Sequence, residues 1–301
     1  MRWCIIANPV AGRRKALQWA PELHDALKTR GDDADLCYTA DSSGAESLAR
    51  EAASRGVDGV IACGGDGTVH QVINGLLAAS EGQPCPLLGL LPTGRCNDLA
   101  IALGIPRRDG QAAIDVILNG TALPIDLGRI GTRYFSTVAT LGFDSEVAGY
   151  VFEGKPPRFL KGTAAYVFAI LVKLVRYRDV PVELKGDSFA YAGDIFLAAT
   201  GNTAYYGGGM MIVPPADPRD GRLDLCLVRS APRLDVLRMI TRVFSGGHVN
   251  HPAVELRSTQ RLEISSPLPL WLWADGERLC QLPATVEVVP NCLKLLVPAT
   301  P

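Results

Sequence analysis

The sequence predicts an α/β domain followed by a β-rich domain. In the first part of the 301 residues, short apolar runs alternate with helical patterns, as they do in a parallel sheet with crossover helices. After about residue 125, short β-rich runs are separated by glycine and proline, which is typical of an antiparallel sandwich or barrel. The length also favours two domains. We therefore expect a Rossmann-like α/β domain at residues 1–125 and a β-rich sandwich domain at residues 126–301, whose last strand can pack back on the first domain.

Four apolar runs in the first half predict strands. They are Cys4–Ala7, Asp35–Thr39, Gly59–Cys63 and Leu87–Leu91. The helical pattern between the first two runs, Arg14–Arg30, contains Pro21, which can break a helix. Between the second and third runs, Ser43-Gly-Ala-Glu46 has the form of a capping box, and Gly56 can end the helix that it starts.

The second half contains many short β-rich runs and one helical pattern. The predicted strands are Tyr134–Leu141, Tyr191–Thr200, Leu223–Val228, Arg261–Ser265, Leu270–Trp273 and Thr285–Val297. A helix is expected at about Lys161–Tyr177. The sequence contains neither an internal repeat nor a low-complexity tract.

Composition and charge exclude several classes of protein. The chain is 48% apolar and 20% charged, which is typical of a globular protein, and its net charge of −1 provides no global field for nucleic acid. Eight cysteines occur singly, as expected in a reducing compartment. The best membrane candidate, Tyr166–Val175, is interrupted by Lys173 and is far shorter than the roughly 20 residues of a span. We therefore expect a cytoplasmic protein with at most peripheral membrane contact.

A glycine-rich turn, Gly64-Gly65-Asp66-Gly67-Thr68, lies between the strand at 59–63 and a helical pattern at 69–79. Such a turn lets backbone N–H groups approach a phosphate, and the helix N-terminus adds favourable dipole charge. The sequence matches neither a Walker A loop nor a GxGxxG fingerprint. A phosphate site is the favoured interpretation, and a tight structural turn is the alternative.

Two further loops are expected at the same edge of the sheet. Leu91-Pro-Thr-Gly94-Arg95-Cys-Asn97-Asp98 joins a strand to a short helix, and Asn8-Pro9-Val-Ala-Gly12 follows the first strand. Loops at the carboxyl ends of parallel strands form the crevice where open α/β sheets bind ligands. Alone, the loop at 91–98 is equally compatible with a capped turn.

Together with motifs in the second half, these loops resemble the bacterial lipid kinases of the diacylglycerol kinase catalytic-domain family, which also includes sphingosine and ceramide kinases. The further motifs are Asp126-Leu-Gly, Gly142-Phe-Asp-Ser-Glu-Val, Gly201–Met210, Asp220-Gly-Arg-Leu-Asp224, His251-Pro and Asp275-Gly-Glu277. The resemblance covers nearly the whole chain in order. It implies ATP- and Mg²⁺-dependent phosphorylation of a hydroxyl on a membrane lipid such as diacylglycerol. The active site is expected in the cleft between the two domains, and the protein is expected at the inner face of the membrane. A homodimer is left open.

The resemblance also implies roles for particular residues. The expected nucleotide contacts are Asn8, Pro9, Gly12, Thr39, Gly64, Gly65, Asp66, Gly67, Thr68, Gly94, Arg95 and Asn97. The carboxylates expected in the cleft are Asp66, Asp126, Asp275 and Glu277, with Glu277 as the proton acceptor and Asp275 as its alternative. Arg95 stands where a small hydroxyl residue is usual and Thr137 where Asn is frequent, and Arg95 can still bind phosphate through its guanidinium.

A metal site is predicted at Asp217-Pro-Arg-Asp220-Gly-Arg222. Two carboxylates three residues apart and a carbonyl across a glycine turn can present hard oxygens to Mg²⁺, although the same pattern forms a plain β-turn. The family resemblance implies a structural magnesium held by the side chains of Asp217 and Asp220 and the main-chain oxygen of Arg222.

Three other functions stay open on the sequence alone. NAD kinases and phosphofructokinase-like sugar kinases use a related GGDG turn, but this chain offers Tyr205-Tyr-Gly-Gly-Gly-Met and Asp275-Gly-Glu277 in place of their acceptor motifs. A catalytically silent lipid-binding regulator is the third alternative. The intact Asp66, Asp275 and Glu277 favour an enzyme over it.

Overall fold

The computed structural model describes residues 1–41, 44–80, 85–157, 160 and 163–299. The elements of the first domain are β1 (Arg2–Ala7), α1 (Lys15–Thr29), β2 (Asp33–Tyr38), α2 (Gly44–Ser54), β3 (Gly59–Gly64), α3 (Asp66–Ala79), β4 (Leu87–Pro92), α4 (Asp98–Ala102) and α5 (Gly110–Asn119). The strands are parallel in the order β2-β1-β3-β4. This is the predicted α/β arrangement, with the carboxyl ends of the strands at one edge.

Both faces of this parallel sheet are buried. Along β1, Ile6 belongs to the apolar cluster that includes residues of α2 and α3, whereas Ile5 belongs to the cluster that includes residues of α1 and α5. Because alternate residues of a strand point to opposite faces, a strand covered on both sides must be apolar throughout. This is why β1 and β3 appear in the sequence as continuous apolar runs.

The second domain contains the remaining elements. They are β5 (Thr121–Ile130), β6 (Arg133–Phe135), β7 (Val138–Gly142), α6 (Phe143–Phe152), α7 (Thr163–Arg176), β8 (Val180–Lys185), β9 (Ala190–Gly201), β10 (Tyr205–Tyr206), β11 (Met210–Met211), β12 (Leu223–Arg229), α8 (Arg233–Arg242), β13 (Val254–Thr259), β14 (Arg261–Ser265), β15 (Trp271–Ala274), β16 (Glu277–Gln281) and β17 (Ala284–Val297). Apart from one parallel contact to β4, their strand pairs are antiparallel around one apolar core.

Strands β5 and β17 join the two domains. The amino-terminal half of β17 pairs with β14, and its carboxyl-terminal half contacts β4 in parallel at Leu295 and Leu88. Strand β5 runs antiparallel to β17 on both sides of a register shift between Val289 and Leu293. A single sheet of 15 strands therefore runs through both domains in the described part of the chain.

Several predicted elements differ in the structure. Helix α1 continues through Pro21 without a break. The predicted strand Tyr134–Leu141 is two strands, β6 and β7, because the N–H groups of Ser136 and Thr137 donate to a side chain instead of a neighbouring strand. Ser43 of the predicted capping box lies outside the described residues. Helices α5, α6 and α8 were not predicted.

Within the described ranges, no helix is both long and apolar enough to cross a membrane.

Candidate active site

The three predicted loops meet at the carboxyl edge of the parallel sheet. The N–H groups of Thr93 and Gly94 donate to the carbonyl of Gly64 at 2.9 and 3.1 Å. The side-chain amide of Asn8 donates to Oγ1 of Thr68 at 3.3 Å. These bonds tie the glycine-rich turn to its two neighbours and hold the three loops around one crevice.

Two glycines in this crevice are required by close packing. Gly12 has φ +57°, and a Cβ there would lie 1.6 Å from the carbonyl oxygen of Thr93. A Cβ on Gly94 would lie 2.4 Å from the Cα of Gly65. Only glycine permits such an approach of backbone to backbone. We will call the space bordered by residues 8–12, 64–68 and 93–98 the phosphate crevice.

Asp66 connects two loops of the phosphate crevice. Its carboxylate oxygens accept the N–H groups of Asn97 at 2.8 Å and Asp98 at 2.7 Å. Burial raises the pKa of the Asp66 carboxyl above its ordinary value, and the two N–H donors oppose that rise. Both oxygens are thus occupied by backbone, which differs from the predicted role of a carboxylate that faces the ligand.

The other predicted nucleotide contacts have different degrees of access. Asn97 is buried with φ +54°, and its side chain closes the loop by bonding both the N–H and the carbonyl of Gly94. Arg95 is exposed. Thr39, at the end of β2, is buried, and its hydroxyl has no hydrogen-bond partner among the described residues. An unpaired buried hydroxyl is costly unless a ligand or water binds it, which fits the predicted polar ligand.

Asp275 is held by five hydrogen bonds from residues distant in sequence. Its oxygens accept the N–H and hydroxyl of Thr137 at 2.9 and 2.6 Å, and the N–H and hydroxyl of Ser136 at 2.8 and 3.3 Å. The fifth donor is Nδ1 of His70 on α3, at 3.2 Å. Burial alone would raise the pKa of Asp275, but these donors outweigh it, and the pKa lies below its ordinary value. Asp275 therefore fastens the β15–β16 turn to both domains.

Glu277 lies two residues further along the same turn, and its carboxylate is free. No donor among the described residues bonds it, and it is partly exposed. Its Oε1 lies 3.8 Å from the position that a Cβ on Gly67 would occupy. The carboxylate of Glu277 therefore faces the amino-terminal turn of α3 in the phosphate crevice. Of the two carboxylates predicted as the proton acceptor, only Glu277 has lone pairs to offer.

Asp98 connects the phosphate crevice with the second domain, a role that the sequence did not indicate. It is buried, and its carboxylate accepts the N–H groups of Gly208 and Gly209, each at 2.9 Å. Burial and the nearby Asp66 charge raise the pKa of Asp98 to about 6. The Gly-Gly-Gly run after Tyr206 is the sequence feature that could have indicated this contact, because backbone N–H groups at glycines commonly bind anionic oxygens.

Asp126 does not lie in the cleft as predicted. It is fully buried at the junction of the two domains, where its oxygens accept the N–H groups of Gly221 at 2.7 Å and Asn291 at 2.8 Å. The prediction rested on the Asp126-Leu-Gly motif of the resemblance. The structure gives it the role of an anchor for the 217–222 loop.

The 217–222 loop, as folded, does not form the predicted metal cage. Both oxygens of Asp217 are bound by the guanidinium of Arg219 at 2.7 and 2.6 Å, and this pair lowers the pKa of Asp217. Asp220 accepts the N–H of Arg222 at 2.9 Å. A cation held by Asp217 would have to displace the exposed Arg219 side chain.

A second potential metal group also fails on its chemistry. Among the described residues, Asp66, Cys96 and Asp98 bring one ligand atom each within 4.8 Å of one another. Both carboxylates already accept backbone N–H groups, however, so their oxygens are engaged by Asn97 and Asp98 on one side and by Gly208 and Gly209 on the other.

An apolar cavity in the second domain lies beside the phosphate crevice. Helices α6, α7 and α8 and the 205–212 segment contribute its lining, which includes Phe143, Ile170, Phe196, Met210 and Ile240. It contains a buried carboxyl, Asp144, which accepts the hydroxyl of Tyr206 at 3.3 Å and whose pKa is raised by burial. The 205–211 segment thus contacts Asp98 on one side and the cavity on the other. We will call this space the apolar cavity; the sequence did not predict it.

Comparison with known proteins identifies both halves of the chain. Residues 2–130 match the diacylglycerol kinase catalytic domain, and residues 137–297 match the YegS C-terminal NAD kinase beta sandwich-like domain. The curated relatives include a diacylglycerol kinase of Mycobacterium tuberculosis, 35% identical, covering 97% of this chain and 94% of the relative. Another is named "Probable lipid kinase YegS-like" in Pseudomonas putida, 33% identical, covering 91% of this chain and 88% of that one.

Solved structures agree in fold. A diacylglycerol kinase from Bacillus anthracis superimposes with a TM-score of 0.78 at 24% identity, covering 98% of this chain and 96% of that one. This confirms the predicted α/β domain followed by a β-sandwich domain. The family matches confirm the resemblance carried by the glycine loops and by the motifs of the second half. The chain therefore belongs to the family of diacylglycerol kinases and YegS-like lipid kinases.

Proposed function

We propose that this protein transfers the γ-phosphate of ATP, as its magnesium complex, to a hydroxyl of a membrane lipid such as diacylglycerol. The observation that carries the proposal is the adjacency of two unlike spaces. The phosphate crevice and the apolar cavity share the 205–211 segment, which bonds Asp98 in the first and contributes Tyr206 and Met210 to the second. An anionic nucleotide in the crevice and the acyl chain of a lipid in the cavity suit this arrangement.

The phosphate crevice supports the nucleotide end of the proposal. The first turn of α3 leaves N–H groups without partners in the helix, and its dipole favours negative charge. Arg95 is exposed at the rim, where its guanidinium can neutralise a phosphate. Magnesium would arrive with the nucleotide and spread the charge that develops on the phosphate oxygens.

Glu277 supports the acceptor end. In the proposed reaction, the lipid hydroxyl oxygen forms a bond to the γ-phosphorus, the bond from that phosphorus to the β–γ bridging oxygen breaks, and the hydroxyl proton passes to Glu277. The free carboxylate beside Gly67 suits this role because a base must lie within hydrogen-bond reach of the proton that it takes. Asp275 is a positioning residue, since its five hydrogen bonds fix the turn that carries Glu277.

The apolar cavity supports a lipid acceptor over a sugar or a dinucleotide. Its lining is mostly aliphatic and aromatic, which suits an acyl chain. The polar groups of a sugar or a dinucleotide would find few hydrogen-bond partners there. Asp144 and Tyr206 are the polar groups available to contact the lipid backbone near the crevice.

Parallel incubations test the proposal. Purified protein, Mg²⁺ and ATP labelled at the γ-phosphate are mixed with diacylglycerol vesicles, with NAD or with fructose 6-phosphate. We expect label in the lipid extract alone. Label on NAD or on the sugar would contradict the lipid acceptor, and label on none of the three would indicate a silent lipid-binding protein.

A further inference from the structure

Helices α7 and α8 expose an unusual amount of apolar surface. Seven of the fourteen large apolar side chains that are exposed in the described part of the chain lie on these two helices and the turn after α8. They are Tyr166, Val167, Leu171 and Val175 of α7, Leu234 and Leu237 of α8, and Phe244. Single exposed apolar residues are ordinary, but a cluster marks an interaction site. We will call these seven residues the docking face.

The docking face follows the geometry of α7. Val167, Leu171 and Val175 are spaced by four residues and form one stripe, with exposed fractions of 50%, 54% and 80%. Ala169, on the opposite side of the helix, and Leu174, beside the stripe, are buried in the core. Helix α7 is therefore apolar both toward the protein and toward solvent. An ordinary surface helix is apolar toward the core and polar toward solvent.

The end of α7 and the start of α8 meet at one hydrogen bond, and both helices border the apolar cavity. The guanidinium of Arg233, at the start of α8, donates to the carbonyl of Tyr177, just after α7. Ile170 of α7 and Ile240 of α8 both line the apolar cavity. The docking face is therefore the outer side of the helices whose inner sides wall that cavity.

Charge on the docking face selects one kind of partner. On α7, Lys173 pairs with Glu146 of α6 and Arg176 is a further cation, and on α8 the acidic Asp235 pairs with Arg238. Arg176 and Arg242 are exposed, and neither bonds an acidic group among the described residues. Apolar side chains flanked by unpaired cations match a bilayer with anionic headgroups, in which the apolar side chains enter the acyl region and the cations stay at the headgroups.

We propose that the docking face inserts into the surface of an anionic lipid bilayer and sets the apolar cavity against the membrane. The inference deepens the proposed function and rests on it, because a lipid acceptor has to pass from the bilayer into the cavity. Diacylglycerol would then move along the inner sides of α7 and α8 without crossing water.

Vesicle binding tests this surface directly. The intact protein is sedimented with vesicles of roughly 30 mol% phosphatidylglycerol in phosphatidylcholine, without diacylglycerol or nucleotide. Leu171→Glu and Leu237→Glu are compared with Leu17→Glu on α1, a matched control because Leu17 is 43% exposed, against 54% and 40% for the test positions. Thermal melting checks that each variant is folded.

We expect each test substitution to weaken vesicle binding about tenfold or more, since burying one leucine side chain contributes at least that factor. The Leu17→Glu control should bind as the wild type does. Raising NaCl from about 0.1 M to about 0.5 M should also weaken wild-type binding, because salt screens the arginines. Equal binding by all three variants would overturn the inference.

A second copy of the chain is the competing occupant of this face. Sedimentation velocity decides it: a dimer that Leu171→Glu dissociates, with vesicle binding unchanged, would overturn the membrane assignment. The vesicle result is independent of catalysis. If the proposed function is wrong, the protein will bind vesicles but produce no phosphorylated lipid. If this inference is wrong, the protein will phosphorylate lipid, but the substitutions at Leu171 and Leu237 will not change vesicle binding.

Discussion

The phosphate crevice and the apolar cavity are built on opposite principles. In the crevice, backbone groups and short hydrogen bonds fix each carboxylate, so that Asp66, Asp98 and Asp275 are fully engaged and only Glu277 is free. The cavity is lined mainly by apolar side chains, and within this lining Asp144 and Tyr206 form a hydrogen-bonded polar pair. The difference teaches that changes in the crevice should affect turnover and stability, whereas changes in the cavity should affect the choice of acceptor.

The largest expected effect is at Glu277. Glu277→Gln should lower kcat about 10²- to 10⁴-fold, the usual contribution of a positioned base, while ATP affinity stays unchanged. Glu263→Gln, at an exposed position of strand β14, is the matched control. Steady-state kinetics on a lipid substrate and calorimetry with ATP measure the two quantities. A variant with near-normal kcat would mean that the base lies elsewhere.

Asp275→Asn should act on stability first. An amide cannot accept the donors that now converge on both oxygens, so the free energy of unfolding should fall by about 2–4 kcal/mol. Because the folded state lowers the pKa of Asp275, its ionised form stabilises the fold above the unfolded pKa, and that stability is lost as pH falls below about 4. Urea unfolding at several pH values measures this. Asp275→Asn with wild-type stability and a large loss of kcat would reverse the roles assigned to Asp275 and Glu277.

A change of cavity volume should affect the acceptor alone. Ile240→Phe narrows the apolar cavity, and we expect about tenfold higher KM for a long-chain diacylglycerol, a loss of about 1.4 kcal/mol. The KM for ATP and for a short-chain diacylglycerol should change little, which makes the short chain the internal control. Equal effects on both lipids would show that acyl chains do not enter this cavity.

The smallest expected effect concerns the contact between the two regions. The folded state raises the pKa of Asp98 to about 6, so protonation stabilises the fold, and this stability is present below the unfolded pKa and lost as pH rises through about 6. Asp98→Asn keeps an oxygen for Gly208 and Gly209 but cannot titrate. Relative to this variant, the wild type should gain about 1 kcal/mol in unfolding free energy between about pH 7 and about pH 5.2. A pH-independent difference would contradict the raised pKa.

Local patterns predicted the crevice because its parts are encoded locally. A glycine-rich turn after an apolar run must lie at a strand end, and parallel strand ends share one edge, so residues 64–68 and 93–98 could be placed without coordinates. The family resemblance misplaced Asp126, whose partners Gly221 and Asn291 are distant in sequence. The Asp126-Leu-Gly motif carries no local mark of whether the acid faces a ligand or a buried N–H group.

Residues that depend on long-range contacts could not be predicted. The different roles of Asp275 and Glu277 arise from Ser136, Thr137 and His70, which local spacing does not relate to that turn. The apolar cavity requires three helices, of which α6 and α8 were not predicted. Family motifs compensated in part, because they predicted that Asp275-Gly276-Glu277 is functional without indicating which carboxylate is free.

Transfer of the phosphoryl group itself tests the central claim most directly. Wild-type protein and Glu277→Gln are incubated with Mg²⁺, a panel of lipids in vesicles and ATP carrying heavy oxygen on the γ-phosphate, and the lipid extract is analysed by mass spectrometry. We predict a lipid phosphate that carries the heavy oxygens in the wild type and is reduced about 10²-fold or more in Glu277→Gln. Consumption of ATP without any labelled lipid phosphate, or equal product from both proteins, would contradict the account.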